Sequence, residues 1–111
     1  MRSWALVGLA LLGLAQSCAA TVADACKTEA DCGGQVCLSA TFAPDGYCTK
    51  QCTLTVPESC PDGATCVADV IAKGLNGCLK RCDTVKDCRD GYECRSAAGS
   101  NGTVCVGPEG I

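Results

Sequence analysis

The chain has 111 residues, of which 9 are basic, 12 are acidic and none is histidine, and its formal net charge is −3 at pH 7. The charges are spread evenly, so no basic face is available for nucleic acid or for an anionic membrane surface. The lack of histidine excludes Ser-His-Asp triads, Cys-His pairs and the commonest zinc ligand. We therefore expect a protein that is not an enzyme and that binds no cofactor and no nucleic acid.

Residues 1–17 have the layout of a secretory signal peptide. Arg2 gives a positive start, and an apolar run of about a dozen residues and then small residues follow it. The apolar run is too short to span a bilayer. The alternative is a buried N-terminal helix, which the cysteine content of the chain disfavours.

Cys18 follows the signal directly and is the only one of the 13 cysteines that falls outside a regular pattern. In bacterial lipoproteins such a cysteine becomes the N-terminus and carries the lipid, and Ala-Gln-Ser at 15–17 is an acceptable cleavage motif. We therefore expect lipidation at Cys18, with residues 18–25 as a tether. Two other cuts stay open. Cleavage after Ala20 would discard Cys18, and ordinary cleavage after residue 17 would leave a free thiol.

The residues after the signal have the composition of a disulfide scaffold. Cysteine makes up about an eighth of them, above the roughly 8–10% that marks such scaffolds. Their only aromatic residues are Phe42, Tyr47 and Tyr92, too few for an ordinary core, so cross-links must supply much of the stability. Because disulfides persist in oxidising compartments, we expect an extracytoplasmic protein.

Twelve cysteines form three consecutive units of four with similar spacing. The first unit spans residues 26–51, the second 52–81 and the third 82–105, and residues 106–111 form a tail. The cysteines are Cys26, Cys32, Cys37 and Cys48, then Cys52, Cys60, Cys66 and Cys78, then Cys82, Cys88, Cys94 and Cys105. We expect two disulfides in each unit.

Other residues repeat with the cysteines. A glycine lies three residues before each third cysteine, and an acidic residue precedes the second cysteine in two units. A turn signal (Asp45-Gly46, Asn76-Gly77 or Asn101-Gly102) lies shortly before each fourth cysteine. This pattern predicts a hairpin between the third and fourth cysteines. A helix is conceivable only over residues 67–75, where a glycine and β-branched residues disfavour it.

The predicted fold is small and disulfide-rich, with three tandem four-cysteine modules, each with a short β-hairpin, and little regular secondary structure. Four cysteines allow three pairings. We prefer disulfides between the first and third and between the second and fourth cysteines of each unit, which would cross-link the leading loops to the hairpin. The spacing alone leaves the other pairings open.

The runs "CKTEADCGGQVC" and "CDTVKDCRDGYEC" resemble the cysteine-rich repeats of bacterial secreted proteins and surface lipoproteins. They are more loosely similar to the disulfide modules of the Dickkopf and colipase family. The resemblance covers residues 26–105 and implies the crossed pairing. Dickkopf, colipase, whey-acidic-protein and granulin modules have an adjacent Cys-Cys pair, and EGF modules have a Cys-x-Cys step. Neither occurs here, and no ligand-binding residue carries over.

Three further motifs have simple structural interpretations. The cysteine gaps around "CRDGYEC" are wide for a zinc knuckle. We interpret Asp87 and Asp90 as solvated surface rather than as an acid–base pair or a calcium site. Asn101-Gly102-Thr103 matches a glycosylation acceptor, although a hairpin turn is the simpler interpretation.

The function that we expect is that of a non-catalytic interaction or structural module. Its partner would be a protein or envelope component, with membrane attachment through lipid on Cys18. We favour an outer-membrane or cell-surface lipoprotein, and simple secretion otherwise. One alternative is a peptidase inhibitor that presents Lys80 and Arg81, or Lys73, in a disulfide-clamped loop. Another is a soluble secreted ligand or toxin.

Overall fold

The computed structural model describes residues 21–97 and 102–109. The expectations for the signal peptide, for lipidated Cys18 and for Asn101 fall outside these residues. Each four-cysteine unit contains one antiparallel pair of short strands, and the regular elements are otherwise short 3-10 turns, as the sequence predicts. Among the described residues, no helix has the length and apolarity that crossing a bilayer requires.

The strand pairs follow the chain order. They are β1 (Val36–Leu38) with β2 (Tyr47–Thr49), β3 (Ala64–Ala72) with β4 (Leu75–Lys80), and β5 (Glu93–Ser96) with β6 (Thr103–Val106). The 3-10 turns are Glu29–Cys32, Pro57–Ser59 and Val85–Asp87. One such turn therefore precedes each strand pair, in the first half of each unit.

The disulfides have the crossed arrangement preferred from the sequence. In every unit the third and fourth cysteines face each other across the strand pair, as Cys37 and Cys48 do in the first. Directly paired residues project from the same face of a sheet, so each can bond to a cysteine of the preceding loop. The bonds are Cys26–Cys37, Cys32–Cys48, Cys52–Cys66, Cys60–Cys78, Cys82–Cys94 and Cys88–Cys105.

The repeated glycine has a backbone role. Gly34, Gly63 and Gly91 have φ values of 90°, 85° and 88°, a region that L side chains rarely adopt. A Cβ added at any of the three would meet nothing within 4 Å, so the backbone conformation rather than space requires glycine there. This turn leads each unit into its first strand.

The residue before each second cysteine is a hydrogen-bond acceptor for the loop. The Asp31 carboxylate accepts the N–H groups of Lys27 (2.8 Å) and Thr28 (3.1 Å). Asp87 does the same in the third unit. In the second unit the hydroxyl of Ser59 accepts the N–H of Thr53 at 3.1 Å. Aspartate and serine can therefore alternate at this position because both supply an oxygen.

The hydrogen bonds that the Asp31 and Asp87 carboxylates accept predict that the protein loses stability in acid. Backbone hydrogen bonds lower the pKa of Asp31 and of Asp87 below the usual value for aspartate. The two ionised carboxylates therefore contribute fully to the free energy of unfolding above the unfolded pKa of about 3.9. This contribution is lost as the pH falls through their lower pKa values in the folded protein. We expect the urea midpoint of the wild type to fall between about pH 5 and pH 2, and the fall to be shallower in an Asp31→Asn/Asp87→Asn variant.

Ser59→Ala is the matched control for this prediction. It removes the equivalent acceptor without removing a titrating group, so its midpoint should lie below that of the wild type by the same amount at every pH. Equal acid slopes for the wild type and the double aspartate variant would contradict the assignment.

The second hairpin differs from the prediction. Asn76-Gly77 lies inside β4, and the two-residue turn is Lys73-Gly74 instead, where Gly74 has a φ of 82°. The helix considered over residues 67–75 is also wrong, because β3 continues to Ala72. Between Val67 and Ala72 the register shifts. Within this bulge, Asn76 Oδ1 accepts the N–H of Asp69 at 3.1 Å.

In the first unit, Asp45-Gly46 lies where the loop enters β2, and both residues have positive φ. A Cβ at Gly46 would lie 1.8 Å from the carbonyl oxygen of Cys26. Glycine is therefore required here both by the backbone conformation and by this close approach.

Part of the segment expected as a tether belongs to the folded body. The N–H of Ala23 donates to the carbonyl of Cys48, and the N–H of Cys48 donates to the carbonyl of Asp24, each at 2.9 Å. Ala23 is also buried. Of the segment expected as a tether, residues 21–25 are therefore described as part of the folded body, with Ala23 and Asp24 bonded to Cys48 of β2.

One apolar core spans all three units. It combines Leu38 and Tyr47 of the first unit, Val67 and Leu79 of the second, and Val104 of the third. Its members come from both sides of every inter-unit boundary, so the units pack together instead of hanging as separate beads. The disulfides of the first and second units form two satellite clusters beside it.

Backbone pairing joins consecutive units. Gln51 pairs with Gly77, and the N–H of Cys78 donates to the carbonyl of Lys50 at 3.0 Å. The boundary between the second and third units repeats this arrangement, with Arg81 paired to Val104. Each linker thus pairs with the second strand of the following unit. The tail after the third unit also returns to the first unit, because the N–H of Gly107 donates to the carbonyl of Phe42 at 2.6 Å.

Candidate functional site: the junction of the three units

Two buried tyrosines lie where the three units meet. The rings of Tyr47 and Tyr92 have centroids 5.7 Å apart and are tilted by 38°. The Tyr47 hydroxyl accepts the N–H of Lys80 at 2.7 Å, which links the first unit to the second. The Tyr92 hydroxyl donates to the carbonyl of Pro44 at 2.9 Å, which links the third unit to the first. Burial raises the pKa of both phenols, so they stay protonated at neutral pH.

Arg89 joins the third unit to the first through three main-chain oxygens. One terminal nitrogen, Nη1, donates to the carbonyls of Ala23 (2.7 Å) and Gly46 (2.8 Å). The other, Nη2, donates to the carbonyl of Pro44 at 3.1 Å. The guanidinium carbon lies 4.7 Å from the centroid of the Tyr92 ring, a cation–π geometry. Arginine suits this position because its planar group carries five donors in a fixed arrangement.

The charge of Arg89 has no carboxylate partner among residues 21–97 and 102–109. In that part of the chain the ion pair is Arg95 with Glu93, and both of those side chains are nearly half exposed. Arg89 itself is half-buried. The junction therefore holds a positive charge that carbonyl dipoles solvate but do not neutralise.

A cavity of about 450 Å³ opens beside Arg89, and we call it the inter-unit cavity. Its wall includes Gln35 and Tyr47 from the first unit, Gly63 from the second, and Arg89 and Tyr92 from the third. The side-chain oxygen of Gln35 is buried and has no hydrogen-bond partner in the described structure. A concave, partly apolar space of this size with a few converging polar groups is suited to a small ligand.

The cysteine sulfurs cluster closely but are all bonded. In each unit three of the sulfurs lie within 4.8 Å of one another, which is a spacing that a metal ion could use. They belong to the two adjacent disulfides of that unit. A disulfide sulfur is not the thiolate that binds a metal, so these clusters would need reduction before they could bind one.

The residues considered for an inhibitory loop lie in different settings. The main chain of Lys80 and Arg81 is paired, since Lys80 donates to Tyr47 and the N–H of Arg81 donates to the carbonyl of Gly63 at 2.8 Å. Lys73 is at the exposed tip of the β3–β4 hairpin. The structure does not bring Lys73 together with the other two.

The two acidic residues considered for acid–base work are exposed. The Asp87 carboxylate caps its own loop, and the backbone hydrogen bonds that it accepts are the main cause of its lowered pKa. The charge of Lys80 contributes a smaller lowering. A carboxylate held ionised in this way is a structural cap, and nothing described links it to Asp90.

Sequence reasoning did not identify Arg89 or Gln35 as site residues. One signal for Arg89 lay in the repeats, since the residue after the second cysteine is Gly33 in the first unit, Pro61 in the second and Arg89 in the third. Comparison of the repeats would have marked the only charged residue at that position. Gln35 had no comparable signal.

Searches of protein-family models, of curated proteins and of solved structures return no match to this chain.

Proposed function

We propose that the protein is a non-catalytic interaction module that works outside the cytoplasm. Its extensive disulfides are typical of extracytoplasmic proteins. The observation that carries the proposal is the placement of exposed apolar side chains on a cross-linked body. Of the four large apolar side chains that are exposed in the described residues, three lie in the second unit.

We call these three residues, Leu54, Val56 and Leu75, the second-unit apolar surface. They are 45%, 40% and 41% exposed. The N–H of Cys52 donates to the carbonyl of Asn76 at 3.1 Å, and Leu54 and Leu75 lie within two residues of that bond along the chain. The topology therefore places Leu54 and Leu75 at the same end of the second unit. Apolar side chains that cluster on the exposed surface of a rigid body are typical of binding surfaces.

Lipid anchoring at Cys18 remains our proposal for the finer location. Because the third unit packs on the first and residues 21–25 are folded, only about 10 Å of chain would separate the lipid from the body. All three units would then lie near the bilayer. The intact mass of the protein from its own cells tests this: we expect an N-terminus at Cys18 with added lipid, and an N-terminus at Thr21 would contradict it.

The inhibitor alternative has weaker support. A reactive loop must enter the cleft of a protease with free main-chain groups, whereas the main chain at Lys80 and Arg81 is paired within the protein. Lys73 is accessible but sits in a two-residue turn, which lacks the extended shape of a bound substrate.

The apolar surface is tested with a Leu54→Ser/Val56→Ser/Leu75→Ser variant. Because these side chains are exposed, we expect little change in the urea midpoint, within about 0.5 kcal/mol for each substitution. Partner capture from the envelope and medium of the native cells should fall at least tenfold. Val85→Ser is the matched control, since Val85 is exposed on the third unit. Equal capture by the wild type and by both variants would contradict the proposal.

A further inference from the structure

We propose that the inter-unit cavity binds a small monocarboxylate with an apolar body, held through Arg89. In this arrangement an N–H or O–H group beside the carboxylate of the ligand donates to Gln35. The inference is independent of the second-unit apolar surface, because it concerns a different part of the molecule.

The donors of Arg89 are only partly used. A guanidinium carries five N–H bonds, and the three carbonyl contacts take both of those on Nη1 and one of those on Nη2. Across the described ranges, the Nε–H and the second Nη2–H have no protein acceptor. Two donors on one planar group match the two oxygens of a carboxylate. The ligand would also supply the carboxylate that no described residue brings into an ion pair with Arg89.

Two further polar groups on the cavity wall can each form one more hydrogen bond. The buried oxygen of Gln35 lacks a donor, and leaving such an acceptor unpaired is costly. The Tyr47 hydroxyl accepts a hydrogen bond from Lys80, but the described residues offer no acceptor for its own proton. The cavity can therefore give a hydrogen bond at Tyr47 and take one at Gln35. An amide N–H or a hydroxyl next to a carboxylate meets the need at Gln35.

The remaining wall favours a ligand with a single charge and an apolar body. Val22, Ala23 and the two tyrosines supply apolar surface. Asp24 and Asp62 also lie on the wall and are exposed, and the Asp24 carboxylate is engaged by Thr21. These two carboxylates offset the charges of Arg89 and Lys80, which also line the wall, so a phosphate or another polyanion gains less attraction here than at a purely basic site.

The probes are N-acetyl-L-leucine, which has a carboxylate beside an amide N–H, and N-acetyl-L-leucinamide, which lacks the charge. Binding is followed by ¹⁵N NMR titration of the oxidised protein. We expect saturable shifts at the Arg89 Nε–H and the Gln35 side-chain amide with the acid. The amide should bind about tenfold more weakly or not at all, since the charge-assisted hydrogen bonds are lost.

Gln35→Met is the informative variant, because Arg89 also holds the units together. Methionine removes the unpaired oxygen at similar size, so the fold should keep or gain stability, whereas affinity for the acid should drop about fivefold. Arg95→Gln, at an exposed ion pair, should bind like the wild type. The proposal is overturned if the wild type shows no saturable shift, if the acid and the amide bind equally, or if Gln35→Met binds undiminished.

Discussion

A Cys32→Ala/Cys48→Ala variant is expected to unfold with a free energy about 3 kcal/mol lower than that of the wild type. The bond closes a sequence separation of 16 residues, and the chain-entropy relation gives a value of about 3 kcal/mol for such a loop. Both cysteines are almost fully buried, so their removal also leaves the core of the first unit less well packed. Urea denaturation followed by circular dichroism measures the loss.

The stability of a small domain makes this loss large. Domains of this size have a free energy of unfolding of about 5–15 kcal/mol, so removal of all six bonds should leave no folded state. Full reduction should add two hydrogens for each of the six disulfides and abolish the dispersed NMR spectrum. A reduced protein that kept its spectrum would show that the core, and not the cross-links, supplies the stability.

The second large effect is expected at Arg89. In Arg89→Ala the carbonyls of Ala23, Pro44 and Gly46 lose a charged donor, and Tyr92 loses a cation over its ring. Hydrogen bonds to charged groups contribute about 1.5–3 kcal/mol each, and water can replace part of this in a half-buried site. We expect a net loss of about 3 kcal/mol in the free energy of unfolding.

Arg95→Ala is the matched control for Arg89. Arg95 pairs with Glu93 at the surface, and such exposed pairs contribute about 0–1 kcal/mol. Arg89→Lys should lose nearly as much stability as Arg89→Ala, because an ammonium cannot reproduce the planar arrangement of donors. Equal stability of the Arg89→Ala and Arg95→Ala proteins would contradict the role of Arg89 at the junction.

The architecture of each unit could be predicted because its causes are local. A short hairpin brings its two ends together, so the third and fourth cysteines, one at each end, face each other. The glycine three residues before the third cysteine marks a turn with positive φ. The prediction for the second hairpin failed for an equally local reason. Asn76-Gly77 has the composition of a turn, but the side chain of Asn76 accepts the N–H of Asp69 in a bulge. Lys73-Gly74 forms the turn instead.

The junction could not be predicted, because its contacts join distant parts of the chain. Arg89 bonds to Ala23, 66 residues earlier, and Tyr47 bonds to Lys80, 33 residues later. Cysteine spacing describes only what happens within a unit. The way in which the three units pack against one another depends on a few large side chains. In a chain with so few aromatic residues, these side chains include both tyrosines.

The three disulfide-clamped units form one body around the junction. Nuclear Overhauser effects in the oxidised protein test this arrangement directly. We predict cross-peaks between the Tyr47 and Tyr92 rings, whose centroids are 5.7 Å apart, and between the Tyr92 ring and protons of Pro44 and Gly46. A spectrum with the cross-strand contacts inside each unit but with none of these peaks would contradict the account and show three independent units.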